Sequence, residues 1–131
     1  MIALDTNLLI RLVVDDNAAQ SDLAERLVRD HRVFISKTVL LESEWVLRHS
    51  YRFDRQLIAR FLKRIFEPWN TVIENSEQVA KAIEWYEAGS DFADAMHLAS
   101  SGTATLHTLD RRFCKAAREA GIAPEVRVWE V

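Results

Sequence analysis

Ile2-Ala3-Leu4-Asp5-Thr6-Asn7 opens the chain, three apolar residues of strand character running into three polar ones that favour turns and helix caps. Beyond it the pattern turns helical. Leu8, Leu9, Leu12 and Val13 recur at helical spacing, and after the polar Asp15-Asp16-Asn17 a second amphipathic stretch sets Leu23, Ala24, Leu27 and Val28 on one face. Val33-Phe34-Ile35 reads as the second strand. Ser36 or Thr38 caps an apolar helix expected from Val39 to Tyr51. Asp54 caps another, with a stripe of Leu57, Ile58, Phe61, Leu62 and Ile65, which Pro68 stops. Thr71-Val72-Ile73 is a third short strand. Ser76 to Glu87, Asp91 to Ser101 and Arg111 to Ala120 read as helices, stopped by Gly89, Gly102 and Gly121, while Thr103 to Thr108 and Val126 to Trp129 read as strands. Short apolar strands alternating with helices imply parallel strands joined by right-handed crossovers. The expected fold class is therefore α/β: a three-layer α/β/α sandwich with a central, mostly parallel sheet of about five short strands.

The 131 residues, 49% hydrophobic, suffice for one domain spanning residues 1–131 and leave no room for a second. Such a chain buries enough surface to fold unaided, so any metal would serve function rather than scaffold. The lone Cys114 excludes an internal disulfide. With no leader-like opening and no apolar run near bilayer length, a soluble protein in a reducing, cytoplasmic setting is expected, with no membrane partner. Seventeen Lys and Arg against 20 Asp and Glu give a net charge of −3, which argues against a simple basic nucleic-acid clamp. If several acids gather on a cation, though, the Arg-rich stretches from Arg48 to Arg64 and from Arg111 to Arg118 can still meet phosphate. Otherwise they are solvated helix faces.

In open parallel sheets, ligands bind beyond the carboxyl ends of the strands. Asp5 directly follows the first strand and Asp110 the fourth. Glu42 stands about one turn into the helix after the second strand, and Asp91 and Asp94 are one turn apart in the helix before the fourth, so acids from four segments are expected to converge. Asp5, Asp91 and Asp110 also occupy positions where a helix-capping oxygen would stand. Glu42 and Asp94 are different: each sits among apolar helical neighbours and is expected partly below the surface, where an unpartnered carboxylate costs several kcal/mol. A cation is the natural partner. Oxygen donors favour Mg²⁺, with Mn²⁺ possible, over Zn²⁺. Such an ion keeps sites open for a phosphate oxygen and a water, which matches phosphodiester hydrolysis. There is no Gly-rich phosphate loop, and Cys114 has no His close by on its helix to activate it.

The segments Ile2 to Asn7, Ser36 to Arg48 with Leu41-Glu42-Ser43-Glu44-Trp45, Asp91-Phe92-Ala93-Asp94-Ala95-Met96-His97-Leu98-Ala99, and Thr108-Leu109-Asp110 resemble, in order and spacing, those of PIN-domain proteins. More narrowly, the chain resembles the VapC-type toxin ribonucleases of toxin–antitoxin pairs. The resemblance implies metal-binding and catalytic acids at Asp5, Glu42, Asp94 and Asp110, with Asp91 a further metal-site acid and Thr6, Asn7 and Thr108 supporting them through hydrogen bonds. Glu42 fits the family spacing from Ser36. Glu44, roughly 200° further round the helix, should not reach the same ion. The resemblance further implies Mg²⁺-dependent hydrolysis of RNA, a homodimer, and a VapB-type antitoxin whose tail covers the acids. Five aromatic residues between Val39 and Phe66 (Trp45, Tyr51, Phe53, Phe61 and Phe66) are expected to supply part of a dimer or antitoxin surface. The alternatives are a catalytically inactive PIN-like module that binds metal or protein, and a phosphatase, for which the chain lacks a DxD motif and a strand-end Lys.

Overall fold

The computed structural model describes all of residues 1–131, and the chain divides into two compact units, Met1–Ser76 and Glu77–Val131. The first unit runs β1 (Ile2–Ala3), α1 (Thr6–Ile10), α2 (Ala18–Asp30), β2 (Val33–Ile35), α3 (Lys37–His49), α4 (Arg55–Arg64) and β3 (Thr71–Ile73). Its three strands are parallel and ordered β1-β2-β3, with Ile2 opposite Val33 and Ile35 opposite Ile73. Because the order advances one strand at a time, right-handed crossovers place both helix pairs on the same face of this sheet. Helix α1 accordingly packs on α2 and α3, and α3 on α4.

The helices begin where their caps stand. Asn17 accepts from the Gln20 amide at 3.1 Å, Ser36 from Val39 at 3.3 Å and Asp54 from Leu57 at 2.8 Å, each satisfying a donor that the helix itself leaves open. With Ser36 as cap, the third helix runs from Lys37 to His49, two residues earlier at both ends than the expected Val39 to Tyr51. Leu9, Ala24, Leu40, Leu47, Ile58 and Leu62 are fully buried, so part of each apolar stripe read from the sequence faces inward, whereas Leu12, Leu23 and Leu57, counted in the same stripes, are exposed. Of the five aromatics expected at a surface, only Trp45 is exposed, at 53%; Phe61 is buried and Tyr51, Phe53 and Phe66 are half-buried. A different aromatic, Trp69, is 91% exposed in the turn leading to β3.

Helix α5 (Ser76–Glu87) opens at the boundary, and α6 (Phe92–Ser100), β4 (Leu106–Thr108), α7 (Lys115–Glu119) and β5 (Val126–Val128) follow in the second unit. Strands β4 and β5 pair in parallel, Leu106 opposite Val126. The chain thus has five short parallel strands among seven helices, an α/β fold, hydrogen-bonded as a group of three and a group of two. Tyr86 and Phe92, both fully buried, meet edge to face at 5.2 Å.

Two expected elements here are shorter. Residues 101–104 form turns after Gly102 takes a φ of +62°, so β4 starts at Leu106 rather than Thr103. Residues 111–114 also turn without forming an α-helix. Asp110 accepts from the Arg112 amide at 2.8 Å, and Cys114 stands in the left-handed region with φ +47° and ψ 33°, which delays α7 to Lys115.

Candidate active site

Asp5 leaves β1 through Leu4 and becomes the N-cap of α1, its Oδ1 accepting from the Thr6 amide at 2.7 Å. The hydrogen bond that Thr6 gives Asp5 therefore comes from its backbone N–H and not from its hydroxyl. That hydroxyl is buried and has no hydrogen-bond partner. Asp5, Thr6 and Asn7 line a pocket of about 370 Å³ with Ile10, Arg11, Glu42, Val46 and Tyr51. Two of the expected acids, Asp5 and Glu42, thus meet inside the first unit.

Glu42 is exposed, which corrects its expected place below the surface. The neighbour two residues on is the one that goes inside. Glu44 is 3% exposed and takes a bidentate pair from Arg48, Nε to Oε2 at 2.7 Å and NH2 to Oε1 at 3.2 Å. Both apolar flanks and a charged residue one turn on were visible in the sequence, but they fit either acid. Packing of α3 decides it, since residues two apart differ by about 200° in direction. The lining of the Asp5 pocket also contains two residues that sequence reasoning missed in this role, Arg11 and Tyr51. The Arg11 guanidinium donates to the Tyr51 hydroxyl oxygen at 2.7 Å and to Asp16. No local pattern announces a bond between residues 40 positions apart.

In the second unit Asp91 caps α6, accepting from the Asp94 amide at 3.0 Å, as its sequence position allowed. Asp94 is half-buried on the first turn of that helix. Burial holds its carboxyl above the usual carboxylate range, and the negative charges of Asp91 and then Asp110 push in the same direction against a smaller opposing pull from His97. Asp110 is exposed just beyond β4. Its amide donates to Thr108 Oγ1 at 3.0 Å and its carboxylate accepts from the Arg112 amide, so the Thr108 bond is to the Asp110 backbone and the Arg112 bond to its carboxylate. Close by, burial pushes the Cys114 thiol up to about 11, leaving it a thiol rather than a thiolate ligand.

No trio of His, Cys, Asp or Glu within either unit forms a ready-made ligand cage. The donor chemistry nonetheless fits a hard divalent cation. Asp91 burdens Asp94 with like charge, and a cation would relieve it. Carboxylate oxygens are the donors on offer, whereas a softer metal would call on the thiolate that Cys114 does not supply.

A family model described as the PIN domain matches residues 2–119, across both units. Comparison with curated proteins and with solved structures produced no match.

Proposed function

The chain belongs to the PIN-domain family, whose members are typically nucleases and commonly use divalent metals such as Mg²⁺, and we propose that it is a Mg²⁺-dependent endoribonuclease, the VapC-type toxin of a type II toxin–antitoxin pair. The observation that carries this reading is geometric: Asp5 and Glu42 line one pocket, and Asp94 is half-buried on the first turn of α6 one turn from the capping Asp91, with its carboxyl held above its usual range by burial and by the charges of Asp91 and Asp110. A protein gains nothing in stability from such crowding; it suits a cation site.

In this proposal, as the family resemblance implies, Asp5 and Asp94 would hold the main ion, and Glu42 and Asp110 would position water or a second ion. When bound, Mg²⁺ supplies Lewis-acid stabilisation of the departing oxygen and acidifies the attacking water. The chain's own part is orientation. The Thr6 amide fixes the Asp5 carboxylate, while the Arg112 amide and Thr108 fix Asp110. Asp91 caps α6 and adds negative potential at Asp94. Glu42 is exposed and lines the pocket with Asp5, which supports a role for it in handling water at the site.

A homodimer and a VapB-type antitoxin in the cytoplasm complete the proposal. Two features support a partner: the exposed Trp45 and Trp69, and an apolar cavity of about 420 Å³ in the first unit, where Leu9, Leu57 and Phe61 stand beside Arg60 and Arg64. No helix is long and apolar enough to cross a membrane.

Incubating the purified chain with total RNA, with Mg²⁺ or with chelator, tests the activity. Cleavage is expected only with Mg²⁺, and Asp5→Asn and Asp94→Asn should each abolish it while the fold persists. Cleavage undiminished in both variants would overturn the assignment and favour a contaminating nuclease.

A further inference from the structure

The pocket that Asp5 shares with Glu42 contains one basic side chain, Arg11, and its placement is unusual. The side chain is 11% exposed in a pocket that two carboxylates also line, yet its bonds go to Asp16 and to the Tyr51 hydroxyl. An Arg whose task was to neutralise Asp5 and Glu42 would pair with them. This one is held in the lining of the pocket that the acids share, and a guanidinium has further N–H donors beyond those given to Asp16 and Tyr51. Tyr51 is itself positioned from a distance, at the end of the turn after α3, whereas Arg11 closes α1. Thr6, whose hydroxyl is buried and without a partner, is another residue of the same lining.

A pocket that offers acids and, separately, a fixed guanidinium suits a ligand carrying negative oxygens that arrives together with a cation. A phosphodiester is that ligand: its bridging and non-bridging oxygens can be shared between a metal and a planar fork of N–H donors. We propose that Arg11 is a substrate-binding residue that holds a non-bridging phosphate oxygen of single-stranded RNA, and that Tyr51 is its positioning residue. The inference rests on the ribonuclease reading for its substrate, but Arg11 acts in binding and not through the metal. Its charge is permanent, because an Arg is not deprotonated in a protein. Tyr51 accepts one N–H and Asp16 another, which fixes the plane of the fork before RNA arrives and lowers the ordering cost of each contact.

Binding of a fluorescein-labelled single-stranded RNA oligonucleotide, followed by anisotropy in chelator from about 50 to about 200 mM KCl, separates this role from a purely structural one. Arg11→Gln should weaken binding about 10- to 100-fold at low salt, as expected for a charged hydrogen bond. It should also reduce the slope of log K against log salt by about 0.7, the loss of one phosphate contact on a single strand. Arg11→Lys should keep the wild-type slope, because the charge remains, and Tyr51→Phe should keep the slope while weakening binding less than Arg11→Gln does. With Mg²⁺ present, Arg11→Lys and Tyr51→Phe should raise KM for RNA more than they lower kcat. An unchanged slope and affinity in Arg11→Gln, or wild-type protein that does not bind the oligonucleotide, overturns the inference. Should Arg11→Gln fail to fold, a Tyr51→Phe protein with wild-type affinity and KM overturns it equally. Failure of the ribonuclease reading looks different: RNA is bound with the expected Arg11 dependence but is not cut when Mg²⁺ is added.

Discussion

Glu42 and Glu44 stand two residues apart on one helix and have opposite fates. Helical geometry separates them, and the family spacing favours Glu42 for the site, but burial goes to the acid outside it. Glu44 survives inside because Arg48, one turn on, forks onto both its oxygens and keeps its own outer edge in water. Glu44→Gln, which a surface reading would treat as silent, is therefore expected to cost about 1–3 kcal/mol in urea unfolding. Arg48→Ala, which strands a buried carboxylate, should cost about 3 kcal/mol or more. Asp91 poses the other residue-scale question, since it caps α6 beside Asp94. Asp91→Ala should lose about 0.5–2 kcal/mol, and Asp91→Ser, which keeps a capping oxygen, should retain stability. If Asp91 also contributes charge to the cation site, the Asp91→Ser midpoint in a Mg²⁺ titration of cleavage shifts to higher Mg²⁺. An unshifted midpoint limits Asp91 to capping.

The helix starts were legible because a cap is a short-range bond: Asn17, Ser36, Asp54 and Asp91 each act within three residues of themselves. What lay hidden at this scale arrives from far along the chain. Glu74, just beyond β3, accepts from the Lys37 amide at 2.9 Å, so α3 is capped twice, once by Ser36 and once from the next strand. A carboxylate at a helix N-terminus also meets the positive end of the helix dipole. Glu74→Gln keeps an acceptor and loses that charge, and should cost about 0.3–1 kcal/mol in denaturant unfolding. Helix α7 is shorter than the apolar spacing implies, since a left-handed Cys114 interrupts what that spacing reads as one continuous helix. Burial raises this thiol to about 11 from an ordinary 9.0. The proton is held more tightly in the folded state, so the stabilisation is complete below pH 9.0 and is lost as the pH rises to about 11. Iodoacetamide at about pH 8 should label native Cys114 far more slowly than the urea-unfolded chain; equal rates would mean that the thiol is accessible and unperturbed.

At the scale of the whole chain, alternation of short apolar strands with helices was enough to identify an α/β fold with five parallel strands. Their grouping was not readable, because strand order is a long-range property that no window of sequence contains. Acids at strand ends are legible as site candidates because such folds bind ligands there, while the part proposed for Arg11 is not legible because it depends on a bond to Tyr51, 40 residues on. The division into units of 76 and 55 residues raises the question of whether either is a folding unit by itself. The second has only two paired strands of three residues each, and a two-stranded ladder is marginal in water without further packing. A chain of about 55 residues also buries a smaller share of its surface than one of about 130, leaving less to offset conformational entropy. The family match, running from residue 2 to 119, crosses the boundary without a break. We therefore expect the units to fold as a single domain, with one cooperative urea transition that coincides when followed by Trp fluorescence and by far-UV circular dichroism. Trp85 and Trp129 report on the second unit, and Trp45 and Trp69 on the first. Replacing the latter two with Phe leaves fluorescence from the second unit alone. If that signal melts at a lower urea concentration than the circular dichroism of the whole chain, the units unfold separately and the single-domain reading fails.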